Sequence, residues 1–284
     1  MKGLILSGGT GSRLYPLTQV VNKQLLPVYD KPMIYYPMST LISHGIRDIC
    51  IISSPEYIES YKWLFRHSNY LGLNIVYEIQ EKPEGIAQSF LIAENFIKGE
   101  DVALILGDNI FHGLKTGDMK PNGAVVLAYE VSNPSDYGVV EFDKVGKVIS
   151  LEEKPASPKS RYAIPGLYFY DSSVLDIAKS LKPSKRGELE ITELNAVYLR
   201  LGGLSVIKPP KGFVWLDAGT PKTLRQASSY VQTVQDRQGV WIGCIEEECL
   251  KSGFLTRDNF KILINVIPFS SYRDYLVRLL EEND

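Results

Sequence analysis

Two hydrophobic periods alternate through the first hundred residues. Residues 2–7 (KGLILS) form a short apolar run that stops at glycine, which predicts a buried strand. Residues 33–45 carry a helical pattern closed by Gly45, and 47–54 (RDICIISS) return to a strand pattern. Residues 56–67 and 86–98 read as helices, with strands at 73–79 and 102–106 between and after them. This strand–helix rhythm predicts an α/β fold: a Rossmann-like mixed sheet, mostly parallel, flanked by helices on both faces, with ligands at the carboxyl ends of the strands.

The pattern changes after Gly107. Runs at 123–131, 137–142, 147–152 and 162–170 are strands joined by short turns, which predicts an antiparallel extension. Helices are expected at 172–181, 190–201 and 221–238, with a short strand at 213–216. An amphipathic stretch at 272–281 predicts a small C-terminal helical segment with an apolar face to bury. The expected division is an α/β core over 1–240 and a helical appendage packed on it over 241–284.

Composition narrows the classes. The 284 residues include 31 basic and 33 acidic side chains, a net charge of -2. No basic excess exists to hold nucleic acid or an anionic membrane, so anion binding must be local. Cys50, Cys244 and Cys249 form no C-x-x-C pair, and an odd count argues against a disulfide framework. Reduced thiols and the lack of a signal-like start or a ~20-residue apolar run lead to the expectation of a cytoplasmic protein.

Candidate chemistry begins directly after the first strand. Leu6-Ser7-Gly8-Gly9-Thr10-Gly11-Ser12-Arg13 lets backbone amides approach an anion, with Arg13 to fork onto phosphate oxygens and a following helix to add its dipole. Neither the P-loop nor the dinucleotide glycine fingerprint is complete, and Val28-Tyr29 stand where the latter wants an acid. Lys23 adds a second cation. Asp108 and Asp217 each follow an apolar run and precede or adjoin glycine. Singly they read as caps or turn residues; with the glycine loop they suit Mg²⁺, which favours one or two carboxylates plus phosphate and water.

Gly8-Gly9-x-Gly-x-Arg13-Leu14-x-Pro16-Leu17-Thr18, Lys23-Gln24-Leu25-Leu26-Pro27-Val28 and Lys31-Pro32-Met33-Ile34-Tyr35-Tyr36-Pro37 resemble the sugar-1-phosphate nucleotidylyltransferases, and among them the thymidylyl-transferring branch. The likeness continues through Gly107-Asp108-Asn109, Tyr137–Phe142, Leu151–Pro155, Gly166–Asp171, Arg186–Thr192 and Trp215-Leu216-Asp217. It implies transfer of a thymidylyl group from dTTP to glucose 1-phosphate, giving dTDP-glucose and pyrophosphate, the first step of dTDP-rhamnose or other deoxysugar synthesis. It further implies a homotetramer built as a dimer of dimers.

The same resemblance implies residue roles. Leu6, Gly8, Gly9, Gly11, Ser12, Arg13 and Lys23 hold the nucleotide, with Gln80 and the backbone of Gly85 on the base. Asp108 and Asp217 bind Mg²⁺. Tyr137, Gly138, Glu153, Lys154 and Arg186 hold the sugar phosphate, and Arg13, Lys23 and Lys154 are the catalytic cations. His112 is read as local structure. Pro165 departs from the family pattern beside the sugar pocket, and the short segment 114–122 suggests weakened feedback control. The alternatives are a UTP-preferring or other sugar-1-phosphate enzyme and a non-catalytic nucleotide-binding module.

Overall fold

The computed structural model describes residues 1–114, 119 and 121–282. The expectation about segment 114–122 falls largely on 115–118 and 120, outside the described residues.

Lys2–Ser7 is an interior strand of a seven-stranded sheet. Its parallel neighbours are Asp48–Ser53 and Val102–Leu106, and Asn74–Ile79 extends the parallel side. Leu4 and Ile5 are fully buried, as a strand covered on both faces requires. Leu167–Tyr170 enters antiparallel between Val102–Leu106 and Ala124–Leu127, and Leu204–Ile207 closes the edge in parallel with Ala124–Leu127. The fold is therefore mixed α/β with a mostly parallel central sheet.

The middle strands divide between two sheets. The expected run 123–131 breaks at Ala128 into Ala124–Leu127 and Tyr129–Glu130. The run 162–170 breaks at Ile164-Pro165-Gly166, where proline has no N–H to give a ladder. The fragments Tyr129–Glu130 and Tyr162–Ala163 join Gly138–Phe142 and Val148–Glu153 in a separate four-stranded antiparallel sheet. Two strand-to-sheet crossings thus leave a hollow between the sheets.

One expectation is corrected. No α-helix follows the glycine loop directly: the chain makes two 3-10 turns, Ser12–Leu14 and Lys23–Leu25, before the first α-helix, Tyr35–Ser43. Gly11 holds a left-handed conformation at φ 61°, and the Thr18 hydroxyl donates to its carbonyl at 2.9 Å. The loop is folded back on itself rather than running into a helix, so no helix dipole faces it. The expected helix 86–98 is also two pieces, Gln88–Ile92 and Glu94–Ile97.

The chain after Gly239 makes Ile245–Lys251, Arg257–Val266 and Ser271–Glu282. Cys244, Ile245, Cys249, Phe260, Ile264 and Leu276 share one apolar cluster with Ile5, Met38 and Ile51 under the central sheet. No helix among the described residues is long and apolar enough to cross a membrane.

Candidate active site

The site forms where the parallel strands end. Gly107 donates its N–H to the Leu6 carbonyl at 2.9 Å, and Gln80 donates its N–H to the Ser53 carbonyl at 2.8 Å. These bonds bring the glycine loop, Gln80 and Asp108 to one edge of the sheet, as the carboxyl-end rule for parallel sheets anticipates.

Asp108 and Asp217 meet through a two-stranded ribbon of which the hydrophobic pattern showed only the second strand. Asn109–His112 pairs antiparallel with Val214–Asp217, with Asn109 opposite Asp217, and the Ala218 N–H donates to the Asp108 carbonyl at 3.0 Å. Asp217 does not cap the following helix. That task belongs to Thr220, whose hydroxyl accepts from the Thr223 N–H at 3.2 Å while Thr223 returns the bond. Relieved of capping, Asp217 leaves one carboxylate oxygen, Oδ1, buried with no hydrogen-bond partner among the described residues.

The two carboxylates differ in their surroundings. Burial alone would raise Asp108, but the Lys23 ammonium on its Oδ2 and the Asn109 amide on its Oδ1 at 2.9 Å hold it below the usual range. Burial raises Asp217 to about 6, and the nearby Asp108 charge adds to the rise. Arg13 comes close on the other side: a Cβ placed on Gly219 would lie 2.9 Å from both an Arg13 guanidinium nitrogen and Asp217 Oδ1.

This pair is suited to a hard divalent cation. An unpartnered buried oxygen beside a second carboxylate is a site that a positive charge would relieve. Among the described residues no three His, Cys, Asp or Glu side chains converge on a metal position. A cation held here would take its remaining ligands from phosphate and water, which is the habit of Mg²⁺.

A cavity of about 620 Å³ opens over the aspartates. Its lining includes Arg13, Asp108, Tyr137, Gly138, Glu153, Lys154 and Asp217, so most expected sugar-phosphate residues share it with both carboxylates. Lys154 sits at φ 42°, a left-handed conformation that a lysine rarely adopts. Its N–H is held by the Tyr137 carbonyl at 3.0 Å, and its ammonium lies 3.8 Å from Glu153. Strand pairing sets Gly138 opposite Glu153. A side chain on Gly138 would strike the Thr192 hydroxyl at 2.7 Å, so the small residue keeps this wall open.

Arg186 departs from its expected place. It lines an adjoining cavity of about 720 Å³ and pairs with Glu188 at 3.0 Å and with Glu153 and Glu190 at 3.7 Å each. The two cavities share only Glu153 and Thr192. The smaller one gathers both aspartates, Arg13 and Lys154.

The residues expected on the nucleotide form a loop arrangement with Gln80 against the glycine loop. Gln80 is buried, and a Cβ on Gly8 would fall 2.0 Å from its Oε1, so the amide lies against the glycine loop. Gly85 has φ 109°, and a Cβ there would strike the Leu189 backbone at 2.4 Å. Gly9, Ser12 and Arg13 are exposed at the loop surface, with Leu6, Gly8 and Gly11 partly covered behind them.

His112 stands apart, with Nδ1 2.7 Å from the Tyr230 hydroxyl. Pro165 is buried between Ile164 and Gly166, which do line the cavity.

Two contributors escaped the sequence reading. Asn109 is buried; its Oδ1 accepts from Trp215 Nε1 at 2.6 Å and from the Gly166 N–H at 3.1 Å, leaving Nδ2 for Asp108. Thr192 donates its hydroxyl to Glu153 at 2.5 Å. The signal for Asn109 was a polar residue opening an apolar run beside Asp108; Thr192 gave no local signal.

A family model described as nucleotidyl transferase matches residues 2–234. A glucose-1-phosphate thymidylyltransferase of Neisseria meningitidis serogroup A is 50% identical, the alignment covering 99% of this chain and all of the relative. The enzyme of the same description from Mycobacterium tuberculosis is 48% identical, with 100% of each chain covered. Among solved structures, a Bacillus anthracis protein assigned that activity and crystallised with a sucrose superposes at TM-score 0.75, with 42% identity over 81% of this chain and 94% of that one. A UDP-glucose pyrophosphorylase complexed with UDP-glucose superposes at 0.70 over 82% of this chain and 98% of that one, and at 23% identity it shares the fold.

Proposed function

The chain belongs to the nucleotidyl transferase family, and we propose that it transfers a thymidylyl group from dTTP to glucose 1-phosphate, yielding dTDP-glucose and pyrophosphate. Full-length relatives with that description at 48–50% identity support the choice of substrates. The observation that carries the reading is the pairing of Asp108 and Asp217, with Lys23 on one and an unpartnered buried oxygen on the other, inside a cavity lined by Arg13 and Lys154.

In this reading a phosphate oxygen of the sugar phosphate forms a bond to the α-phosphorus of dTTP as the bond from that phosphorus to the bridging oxygen breaks, releasing pyrophosphate. The protein positions two anions and offsets their charge; it supplies no covalent intermediate. Arg13 and the amides of Gly8, Gly9, Gly11 and Ser12 hold the triphosphate. Lys23 keeps Asp108 ionised and in place. Asp108 and Asp217 would hold a Mg²⁺, which when bound would supply charge neutralisation at the phosphates. Lys154, fixed by its unusual backbone, holds the attacking phosphate. Glu153, with Tyr137 and Gly138, receives the sugar hydroxyls. Arg186 orients Glu153 from the adjoining cavity.

Gln80 and the Gly85 backbone read the base. Thymine and uracil offer the same donor–acceptor edge, and at the base only a methyl contact of about 1–3 kcal/mol separates them, so UTP is expected as a slower substrate. The product would feed deoxysugar synthesis. The three buried free cysteines support a reducing cytoplasm, and exposed Val266 and Phe269 near the last helix support assembly into a tetramer.

Phosphorus NMR of dTTP, glucose 1-phosphate and Mg²⁺ with the protein tests the reaction. The expected spectrum gains a sugar-nucleotide diphosphate and pyrophosphate in equal amounts. Triphosphate cleavage without sugar transfer, or no change, would overturn it.

A further inference from the structure

Gln80 does not stand alone at the base end of the site. Its Nε2 donates to Gln88 Oε1 at 2.7 Å. Gln88 Oε1 also accepts from the Glu84 backbone N–H at 3.2 Å, and Gln88 Nε2 donates to the Glu84 carboxylate at 2.9 Å. A backbone N–H only donates, and the carboxylate here accepts, so the two Glu84 groups fix which end of the Gln88 amide is which. Gln88 then presents oxygen to Gln80. The nitrogen of Gln80 must answer it, and the Gln80 oxygen is turned to the glycine loop, where it accepts no hydrogen bond among the described residues.

We propose that Gln88 is a specificity-determining positioning residue: it locks the Gln80 amide with its acceptor facing the nucleotide, so that the site selects a pyrimidine carrying a donor at N3. This rests on the reading that Gln80 meets the base. Thymine and uracil have N3–H; cytosine presents an N3 acceptor, which would face the Gln80 oxygen acceptor to acceptor. The lock costs nothing on binding, because Gln80 is buried and already oriented. Gly85 contributes by letting the 84–88 loop turn against Leu189, whose N–H donates to the Glu84 carbonyl at 2.7 Å.

The test is steady-state kinetics of the full chain with dTTP and dCTP at saturating glucose 1-phosphate and Mg²⁺, with wild type, Gln88→Glu and Gln88→Lys, beside binding of dTDP and dCDP by calorimetry. Gln88→Glu, made together with Glu84→Gln so that its carboxylate faces an amide and not a second carboxylate, still accepts from Gln80 and is expected to keep the wild-type dTTP-to-dCTP ratio of kcat/KM. Gln88→Lys offers only donors, turns the Gln80 amide round, and is expected to lower that ratio about tenfold, through KM and through the same shift in diphosphate binding, with kcat within about twofold. If the Lys variant does not fold, Gln88→Leu frees the amide and is expected to lower the ratio several-fold. An unchanged ratio in the Lys or Leu variant overturns the proposal, as does an equal loss for both nucleotides in every variant. A wild type with no preference for dTTP over dCTP overturns the reading of Gln80 itself, and the proposal with it.

Discussion

Burial and the nearby Asp108 charge raise the Asp217 carboxyl to about 6, so protons would compete with a cation held by the proposed pair. The Mg²⁺ concentration giving half-maximal rate is therefore expected to rise as pH falls from 7 to 5.5, whereas a pH-independent value would contradict the assignment. Lys154→Ala is expected to raise KM for glucose 1-phosphate and lower kcat about 10²-fold, since one charged contact to the reacting phosphate is lost; an effect on dTTP alone would contradict its role. His44 gives a residue-scale prediction about stability. Burial lowers it below its ordinary 6.5, its Nε2 has no partner, and its ring lies 5.3 Å from Phe169. The unfolded chain binds this proton more readily, so His44 contributes stability fully above pH 6.5 and loses it as pH falls toward the lower folded value. Thermal melts should show a smaller fall between pH 6.5 and 5 in His44→Gln than in wild type. Individual cations and carboxylates were legible in the sequence as residue types after apolar runs. Their partners were not, because Lys23–Asp108 and Asn109–Trp215 join positions 85 and 106 residues apart.

The ribbon of Asn109–His112 with Val214–Asp217 is the element that makes the carboxylate pair. Only its second strand was visible in the hydrophobic pattern. Asn109–His112 is four residues long with polar ends, too short to show a period. The helix anticipated after the glycine loop failed for a local reason: Pro16 follows closely, and Thr18 ties the loop back to Gly11. Strand breaks at Ala128 and Ile164–Gly166 were hidden because the apolar run continues across each break while its two halves join different sheets. The loop of residues 83–87 gives an element-scale prediction. Gly85→Ala places a methyl against the Leu189 backbone in a left-handed conformation. The expected result is a melting temperature lower by several degrees and a raised KM for dTTP, measured by calorimetry and kinetics; unchanged values would contradict the packing described.

On the scale of the molecule, the parallel sheet and its carboxyl-end site were the most legible features, since continuous apolar runs ending in glycine have few other solutions. The helices after Gly239 were least legible: only 272–281 showed a clear amphipathic period. They nevertheless share the main apolar cluster with the sheet. Removing residues 241–284 would bare Ile5-side core residues such as Met38 and Ile51, so the truncated chain is expected to aggregate or bind a hydrophobic dye, whereas a soluble monomer of native melting temperature would contradict that packing. The central claim joins these scales: two carboxylates and two cations from four separate segments act as one nucleotidyl-transfer centre. Pyrophosphate release from dTTP and glucose 1-phosphate, measured against Mg²⁺ for wild type and Asp217→Asn, tests it most directly. The account predicts Mg²⁺-dependent release in wild type and a loss of about 10²–10³-fold in Asp217→Asn with the fold intact. Wild-type release without added divalent cation, or full activity in Asp217→Asn, would contradict it.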